Sequence, residues 1–512
     1  MATLLFLGAS ISQLPAIRHA RAAGHRVVAV DGDPDAVGFQ VADVCVNVDF
    51  SNIAVVAAAG AEHHVDGVLA ISSDRAVVPA AMVADQLGLP TIGAAVARAM
   101  TDKWAMRTEL ERAGVPQPRY ALVTAGTDVS ALVERLPTPA VLKPADSGGQ
   151  RGLFMVEDAE AAEAHLAETL AFSRLSHALL EEYVDGTELN GILVVRGGEP
   201  ALITFSDRLR PAGPGFGVGW IHSYPSRVGA QRLERAREIA YAAVRALGLR
   251  DGIAFPQLIV RDDDVRLIEI AARIGAGQMA DLVRHATGVE LFDVAILQAL
   301  GRDVPDALIA PKIVRPIAIR FLTADPGVLP VGDVTSIHGL DDVRASPGVL
   351  DANLYFDVGA TIGPLRVDAD RRGYVIATSD TPEQALALAD GAARKLKVEV
   401  RERARARRQA LVFVPAAAAL AAAAALLAVL VFRSTPGPRL VSDTVRERGG
   451  VLHVRYRFDE PVRTILLVDG KPAAETGLRQ GGELVWHARG GRHRFGIEGV
   501  DSSGRHSAIS PI

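Results

Sequence analysis

Cysteine is nearly absent: Cys45 is the single one among 512 residues. One thiol excludes a disulfide framework and any cysteine-built zinc or iron–sulfur site. A surplus of basic charge is also missing. Lys and Arg number 55 against 60 Asp and Glu, a formal net charge of −5, so no global field advertises nucleic acid as a partner. Residues 1–400 hold no uncharged run long enough to cross a bilayer. The start, Met1-Ala-Thr-Leu-Leu-Phe-Leu-Gly8, lacks a basic n-region and a small-residue cleavage site. It reads as a buried first strand rather than a secretory signal. The glycine pattern after that strand is not G-x-G-x-x-G, so a dinucleotide site is not supported there.

What is present is a globular balance, 22% charged and 49% hydrophobic, over a length that suggests two to four domains. Mean hydropathy is +0.20, high for so charged a chain, and one segment carries much of the excess. From Ala410 to Phe432 stand 23 uncharged residues, 11 Ala, 11 Leu, Val or Phe, and Pro415. About 20 such residues span a bilayer. Arg401, Arg403, Arg405, Arg407 and Arg408 precede the run, and only Arg433 follows before a Ser-Thr-Pro-Gly-Pro linker at 434–438. A buried Ala-rich helix is the alternative. The positive-inside rule favours a single span, with the N-terminal part cytoplasmic and the C-terminal part extracytoplasmic.

Along the chain, Leu4–Leu7, Arg26–Val30 and Gly67–Ile71 are apolar runs ending in Gly8-Ala9-Ser10, Asp31-Gly32-Asp33-Pro34 and Ser72-Ser73-Asp74. Apolar runs feeding small or acidic loops, with helical stretches between, are the pattern of a doubly wound parallel sheet. Ligands of such sheets sit beyond the carboxyl ends of the strands. A helix is expected over Met100–Gly114, beginning after Thr101-Asp102. Strands are expected at Ala140–Pro144, at Leu153–Val156 and, as a pair about Arg261–Asp264, at Ile253–Val260 and Val265–Ile270. An amphipathic helix is expected over Thr381–Lys397. The tail 439–512 carries 12 basic and 9 acidic residues and alternates with period two, with an Asp469-Gly470 hairpin turn, as in a small all-β sandwich.

Four features bear on chemistry. Lys103 and Lys143 stand at helix and strand boundaries, where an ammonium can reach a phosphate; alone, each reads as a solvated surface charge. Ser147-Gly148-Gly149-Gln150-Arg151-Gly152 is a glycine-rich loop between strands. Its N–H groups can approach phosphate oxygens, although it is not G-x-x-x-x-G-K-[ST] and by itself reads as a hairpin. Glu181-Glu182-Tyr183-Val184 could hold an adenine through its backbone, and the Glu188 carboxylate suits ribose hydroxyls; a charged strand end is the plain alternative. Glu269 sits in Leu267-Ile268-Glu269-Ile270, where a carboxylate is costly unless paired or metal-bound. Gln257 faces it from the partner strand, and Arg273 follows four residues later. Mg²⁺ is commonly held by one or two protein oxygens plus nucleotide phosphates.

In this order and spacing the four features resemble the ATP-grasp superfamily, in particular its carboxylate–amine ligase branch, over residues 1–400. The resemblance implies an α/β architecture: a doubly wound domain at 1–95, an ATP-grasp domain at 96–305 with a lid at about 116–185, and its C-terminal part at 306–400. A basic segment at 401–409, the span at 410–432, the linker at 433–438 and the β module at 439–512 complete the chain. The end of that module, Arg494–Gly504, resembles the last hairpin of immunoglobulin-like or fibronectin type III domains. The resemblance also assigns roles. Lys103 and Lys143 would contact ATP phosphates beneath Ser147–Gly152, Glu181–Val184 would hold the adenine and Glu188 the ribose. Gln257 and Glu269 would ligate Mg²⁺ (or Mn²⁺), and Arg273 would stabilise the phosphoryl group in flight. Position alone nominates Ser10, Ser73, Asp74, Arg208 and His222 as substrate contacts.

The implied reaction joins a small carboxylate and an amine through an acyl phosphate. Two positions depart from the family pattern: Gln257 where Glu is frequent, and Ala271 where Asn is frequent. They favour a rival reading, a weakened, non-catalytic ATP sensor coupled to the outer module. A bicarbonate-activating carboxylase is a further alternative, although no lysine–biotin acceptor motif is evident. The expected partners are small substrates, the membrane, a second copy in a homodimer and an unidentified partner of the outer module.

Overall fold

The computed structural model describes residues 1–211 and 215–401, and in the tail only strands between 440 and 511. The expected span Ala410–Phe432, the flank 402–409, the linker 433–438 and the Asp469-Gly470 turn lie outside the described residues. Among the described residues no helix is long and apolar enough to cross a membrane. The chain divides into two compact units, Met1–Ala404 and Arg405–Ile512.

The first unit opens with β1 (Thr3–Leu7), β2 (Arg26–Asp31), β3 (Val44–Asn47) and β4 (Gly67–Leu69), in the order β3-β2-β1-β4 with every pairing parallel. Leu4, Leu5, Leu7 and Val27–Val30 are all fully buried. That is why β1 and β2 read as continuous apolar runs: helices cover both faces of such a sheet. The expected first strand and doubly wound order are both found.

The lid is the four-stranded antiparallel sheet β5-β8-β6-β7, formed by β5 (Tyr120–Val123), β6 (Ala140–Pro144), β7 (Phe154–Val156) and β8 (Ala178–Glu182). An eight-stranded sheet, β13-β12-β9-β10-β11-β14-β18-β16, forms the platform. Its members are β9 (Thr187–Arg196), β10 (Glu199–Leu209), β11 (Ile221–Tyr224), β12 (Gly252–Arg261), β13 (Asp264–Ala271), β14 (Ile317–Phe321), β16 (Val349–Leu354) and β18 (Gly373–Thr378). The short strands β15 (Gly332–His338), β17 (Thr361–Ile362) and β19 (Lys397–Arg401) make a third sheet. One buried apolar cluster runs from Leu4 and Phe6 of β1 through Leu282 and Val294 to Ile192 and Ile319 of the platform. This shared core fixes the first domain against the platform, so the β1 and β4 loops face the platform's functional edge.

Two helix boundaries differ from the sequence reading. The helix expected over Met100–Gly114 spans Lys103–Arg112, because the Asp102 carboxylate caps it by accepting from Trp104 N–H. The helix expected over Thr381–Lys397 spans Pro382–Ala393. Thr381 caps it, and Lys397–Arg401 instead pairs with β15 as a strand with alternating exposure.

In the second unit, β20 (Leu440–Arg448), β21 (Val451–Val468), β22 (Lys471–His487), β23 (Phe495–Val500) and β24 (Ser510–Pro511) pair antiparallel. β21 and β22 meet with Val468 opposite Lys471. Val454, Tyr456 and Phe458 of β21 are buried while Arg455 and Arg457 are exposed, the period-two pattern of a sheet with one covered face.

Candidate active site

The two lysines are not solvated surface charges. Lys103 opens its helix and Lys143 lies on β6, each about 5% exposed, and both line one cleft between lid and platform. Lys103 Nζ donates to Ser147 O at 2.9 Å and lies 3.3 Å from Glu269 Oε1. A lysine at a helix N-terminus opposes the helix dipole, so this charge depends on its carboxylate partner. Lys143 Nζ sits 2.7 Å from Glu181 Oε2. Glu181 is also gripped by Arg107, whose Nε and Nη2 donate to its two oxygens at 2.9 and 3.0 Å. Arg107 further donates to Leu267 O and Ile268 O on β13, at 3.3 and 2.6 Å. Burial opposes ionisation of Glu181, but Arg107 and Lys143 overcome it and hold the carboxyl at about 2. Burial lowers the Lys143 ammonium below the ordinary lysine range, with Glu181 resisting.

The glycine-rich loop Ser147–Gly152 joins β6 and β7, with Ser147 to Arg151 facing the cleft. Gly149 takes a φ of +70°, open to glycine without a Cβ penalty, and its carbonyl accepts from Asp368 N–H at 3.1 Å. A Cβ on Gly148 would stand 2.7 Å from Asp74 Oδ2. The loop is therefore closed down on both the first domain and the C-terminal part. With the loop in this position the cleft holds a cavity volume of 160 Å³, below the roughly 300–1,000 Å³ of ordinary ligand pockets.

Register pairs Gln257 of β12 with Glu269 of β13, and both line the cleft. Gln257 Nε2 donates to Asn190 Oδ1 at 3.2 Å, which turns the amide oxygen away from that acceptor. Among the described residues no group of three or more His, Cys, Asp or Glu could hold a metal ion. One carboxylate and one amide oxygen are a partial donor set of the kind that phosphate oxygens complete around Mg²⁺. Ala271 is buried and does not line the cleft.

At the end of β8, Glu182 N–H donates to Arg119 O and Tyr183 N–H to Pro139 O. Val184, just beyond the end of β8, lines the cleft. Glu188 lines the cleft, but Arg208 Nη1 donates to both of its oxygens, at 2.7 and 2.8 Å. Any hydroxyl donating to Glu188 must compete with that pair. Arg208 lies opposite His222 in the β10–β11 ladder. Burial, followed by the nearby Arg371 and Arg208 charges, lowers the His222 imidazole well below its usual range.

The remaining sequence candidates divide. Asp74 lines the cleft, whereas Arg273 does not. Arg273 forms a bidentate pair with Asp74, at 2.7 and 2.8 Å, and borders an adjacent cavity. Gly152 is packed against Phe172 and Pro144 outside the cleft lining. Ser10 is engaged with Gln13, and Ser73 starts a helix without capping it. Neither lines the cleft, although their neighbours Ile11, Ser12 and Ser72 border a further cavity. Sequence reasoning missed Arg107, Asn190, Asp368 and Arg371. Asn190 follows Glu188 by two, and that period-two signal could have found it. Asp368 and Arg371 arrive from far along the chain with no local signal.

Comparison with known proteins agrees with this geometry. Residues 17–91 match the ATP-grasp N-terminal domain, 100–277 the ATP-grasp domain, and 320–401 the L-amino acid ligase C-terminal domain 2. The chain is 28% identical over 299 residues to an uncharacterized protein, y4rH, of Sinorhizobium fredii, covering 58% of this chain and 60% of that one. It is 32% identical over 234 residues to a D-alanine–D-alanine ligase of Desulforudis audaxviator, covering 43% of this chain and 71% of that one. It is 30% identical over 385 residues to a formate-dependent phosphoribosylglycinamide formyltransferase of Burkholderia thailandensis, covering 73% and 90%. The fold is shared with the crystal structure of an L-amino acid ligase from Bacillus licheniformis, with TM-score 0.67, 20% identity and coverage of 78% and 99%. With two buried lysines, a closing glycine loop and a carboxylate–amide pair in one cleft, the chain belongs to the ATP-grasp family, whose ligases use ATP and Mg²⁺ to form carbon–nitrogen bonds and release ADP.

Proposed function

We propose that this protein ligates a small carboxylate to an amine through an acyl phosphate, with the ATP-grasp unit on the cytoplasmic face of a membrane. The observation that carries the reading is the convergence of Lys103, Lys143 and Glu269 beneath the Ser147–Gly152 loop. Lys103 and Lys143 bind the ATP phosphates, the Glu181–Val184 segment holds the adenine, and Glu188 serves the ribose. Glu269 and Gln257 would hold Mg²⁺, which would supply charge neutralisation at the phosphates. The substrate carboxylate attacks the γ-phosphorus and ADP departs. The amine then displaces phosphate from the acyl carbon. Arg273, paired with Asp74 in this structure, would have to leave that pair to meet the charge developing on the phosphoryl group. Loop closure keeps water from the acyl phosphate. Arg208, His222 and Asp74, which line the cleft, are the proposed substrate contacts, whereas Ser10 and Ser73 stand outside its lining.

ADP release is to be measured with panels of amino acids and small acids, with hydroxylamine trapping acyl phosphate. The reading expects acid-dependent hydroxamate that Glu269→Gln abolishes; no stimulated turnover, with no effect of that variant, overturns it.

Ala410–Phe432 with its arginine flank supports a single-pass anchor. The tail would then be an extracytoplasmic, sandwich-like β module with a partner of its own, and a homodimer is the proposed assembly. A topology reporter fused after residue 512 should be active outside the cytoplasm; a cytoplasmic signal rejects the anchor. A second reading, an ATP sensor with little turnover, is favoured by the Gln257 and Ala271 departures and by Lys103 standing 3.3 Å from the principal metal carboxylate.

A further inference from the structure

Strands β12 and β13 do not pair in one continuous register. From the turn at Arg261–Asp264 the ladder runs regularly to Leu258 opposite Leu267, and it resumes with Gln257 opposite Glu269. Ile268 is left without a partner across the ladder, the extra residue of a β-bulge. Successive strand residues point to opposite faces, so a slip of one residue moves a side chain to the other face. Phe255, Gln257 and Ile259 line the cleft, whereas Pro256 and Leu258 do not. Unbroken pairing would put Ile268 opposite Gln257 and Glu269 opposite Pro256, on the face turned away from the cleft. The bulge is what places Glu269 beside Gln257.

A bulge leaves backbone groups without ladder partners, and a buried carbonyl with no donor is costly. Arg107 supplies the donors. Its Nη1 donates to Leu267 O at 3.3 Å and its Nη2 to Ile268 O at 2.6 Å. Consecutive carbonyls of a regular strand point to opposite edges; here both turn to one guanidinium. Leu267 N–H donates to Pro116 O at 2.9 Å, so the segment after the helix grips the same residue. The other Arg107 donors hold the two Glu181 oxygens, at 2.9 and 3.0 Å, and Gln117 Oε1, at 3.4 Å. All five N–H groups of this buried side chain are thus engaged. Lys103, one turn earlier on the same helix, lies 3.3 Å from Glu269 Oε1. One helix therefore holds residues 267–269 by backbone and side chain together.

We infer that Arg107 is a positioning residue for the metal carboxylate: it holds the Ile268 bulge, and the bulge aims Glu269. The inference rests on the reading of Glu269 as a ligand of Mg²⁺. Arg107 itself does not line the cleft, so it acts through β13 and not on the nucleotide. The task needs a planar fork, whose nitrogens diverge toward acceptors on β8 and β13 at once. A lysine ammonium offers one nitrogen in place of three. It keeps the charge opposite Glu181 and loses the grip on two carbonyls.

The test titrates Mn²⁺ into the full chain, held in excess over a non-hydrolysable ATP analogue, and follows the bound ion by electron paramagnetic resonance. Arg107→Lys should keep a Tm close to that of the wild type yet weaken Mn²⁺ binding by about 10–100-fold, the scale of losing an outer partner of a metal ligand. Deleting Ile268 removes the extra residue and leaves Glu269 opposite Gln257 in an unbroken ladder. The chain with that deletion should bind Mn²⁺ as the wild type does, and adding Arg107→Lys to it should cost nothing further. A merely structural role would lower Tm in step with Mn²⁺ affinity and gain nothing from the deletion. Arg107→Lys with wild-type affinity overturns the inference, and so does a loss that the deletion leaves in place. Should Arg107→Lys not fold, the deletion alone decides, since lost Mn²⁺ binding there shows that register does not place the carboxylate. Glu269→Gln run alongside separates the two claims: unchanged Mn²⁺ affinity in that variant removes the metal reading, and the inference with it.

Discussion

Replacing Glu181 by Gln removes one charge from a buried triad and leaves the side-chain volume nearly unchanged. Glu181 is 3% exposed at its side chain and lies between Arg107 and Lys143. Its carboxyl is held at about 2 against an ordinary 4.5. At about 1.4 kcal/mol per tenfold change in an acid equilibrium, that displacement is worth roughly 3 kcal/mol. Breaking a buried ion pair from one side costs about 3–5 kcal/mol, the same scale. Glu181→Gln should therefore lose roughly 3 kcal/mol at pH 7 in urea unfolding followed by tryptophan fluorescence, since Trp104 sits one turn from Arg107 against Tyr120. The pH dependence has a fixed sign. A depressed carboxyl stabilises fully above its unfolded value, and the contribution fades as pH falls through the folded one. The gap between wild type and variant should be flat above pH 5 and shrink between 4.5 and about 2. A loss under 1 kcal/mol, or a gap that widens on acidification, would falsify the claim that this carboxylate organises the lid–platform seam.

The same triad sets an alkaline limit for ATP binding. Burial lowers Lys143 below the usual lysine value while Glu181 raises it, so the KM for ATP should climb at lower pH in Glu181→Gln than in wild type; an unmoved limb removes Lys143 from phosphate binding. Glu269→Gln should cut ADP release by at least a hundredfold and raise the Mg²⁺ concentration needed for half-maximal rate, and a full-rate variant rejects Glu269 as the metal carboxylate. Gly186 takes a φ of +144°, and a Cβ there would lie 2.5 Å from Val260 O. Gly186→Ala should cost about 1–3 kcal/mol, read as a lower Tm, and weaken ATP binding by displacing Glu188 two residues on; an unchanged Tm shows that the strand ends yield freely.

Whatever depends on neighbours along the chain was legible in the sequence. Apolar runs ending in small or acidic residues specified the parallel sheet, because only strands covered on both faces are apolar at every position. The turn at Arg261–Asp264 set the β12–β13 register as far as Leu258 opposite Leu267, but spacing alone would put Ile268 opposite Gln257; a register shift between Gln257 and Leu258 brings Glu269 there instead. The glycine loop was recognisable because its spacing is local. What those groups touch was settled by the packing of distant segments. Lys103 and Lys143 read as surface charges until burial put carboxylates within 3.3 and 2.7 Å. Arg107 carried no sequence signal because its role is to bridge segments 74 and 160 residues away. Arg273 stood at the right spacing for a phosphoryl contact, yet Asp74, 199 residues earlier, holds it. Asp368 and Arg371 line the cleft only because the C-terminal turn folds back onto the loop. Charge pairing in a low-dielectric seam acts over a few ångströms of space, and chain separation carries no record of it.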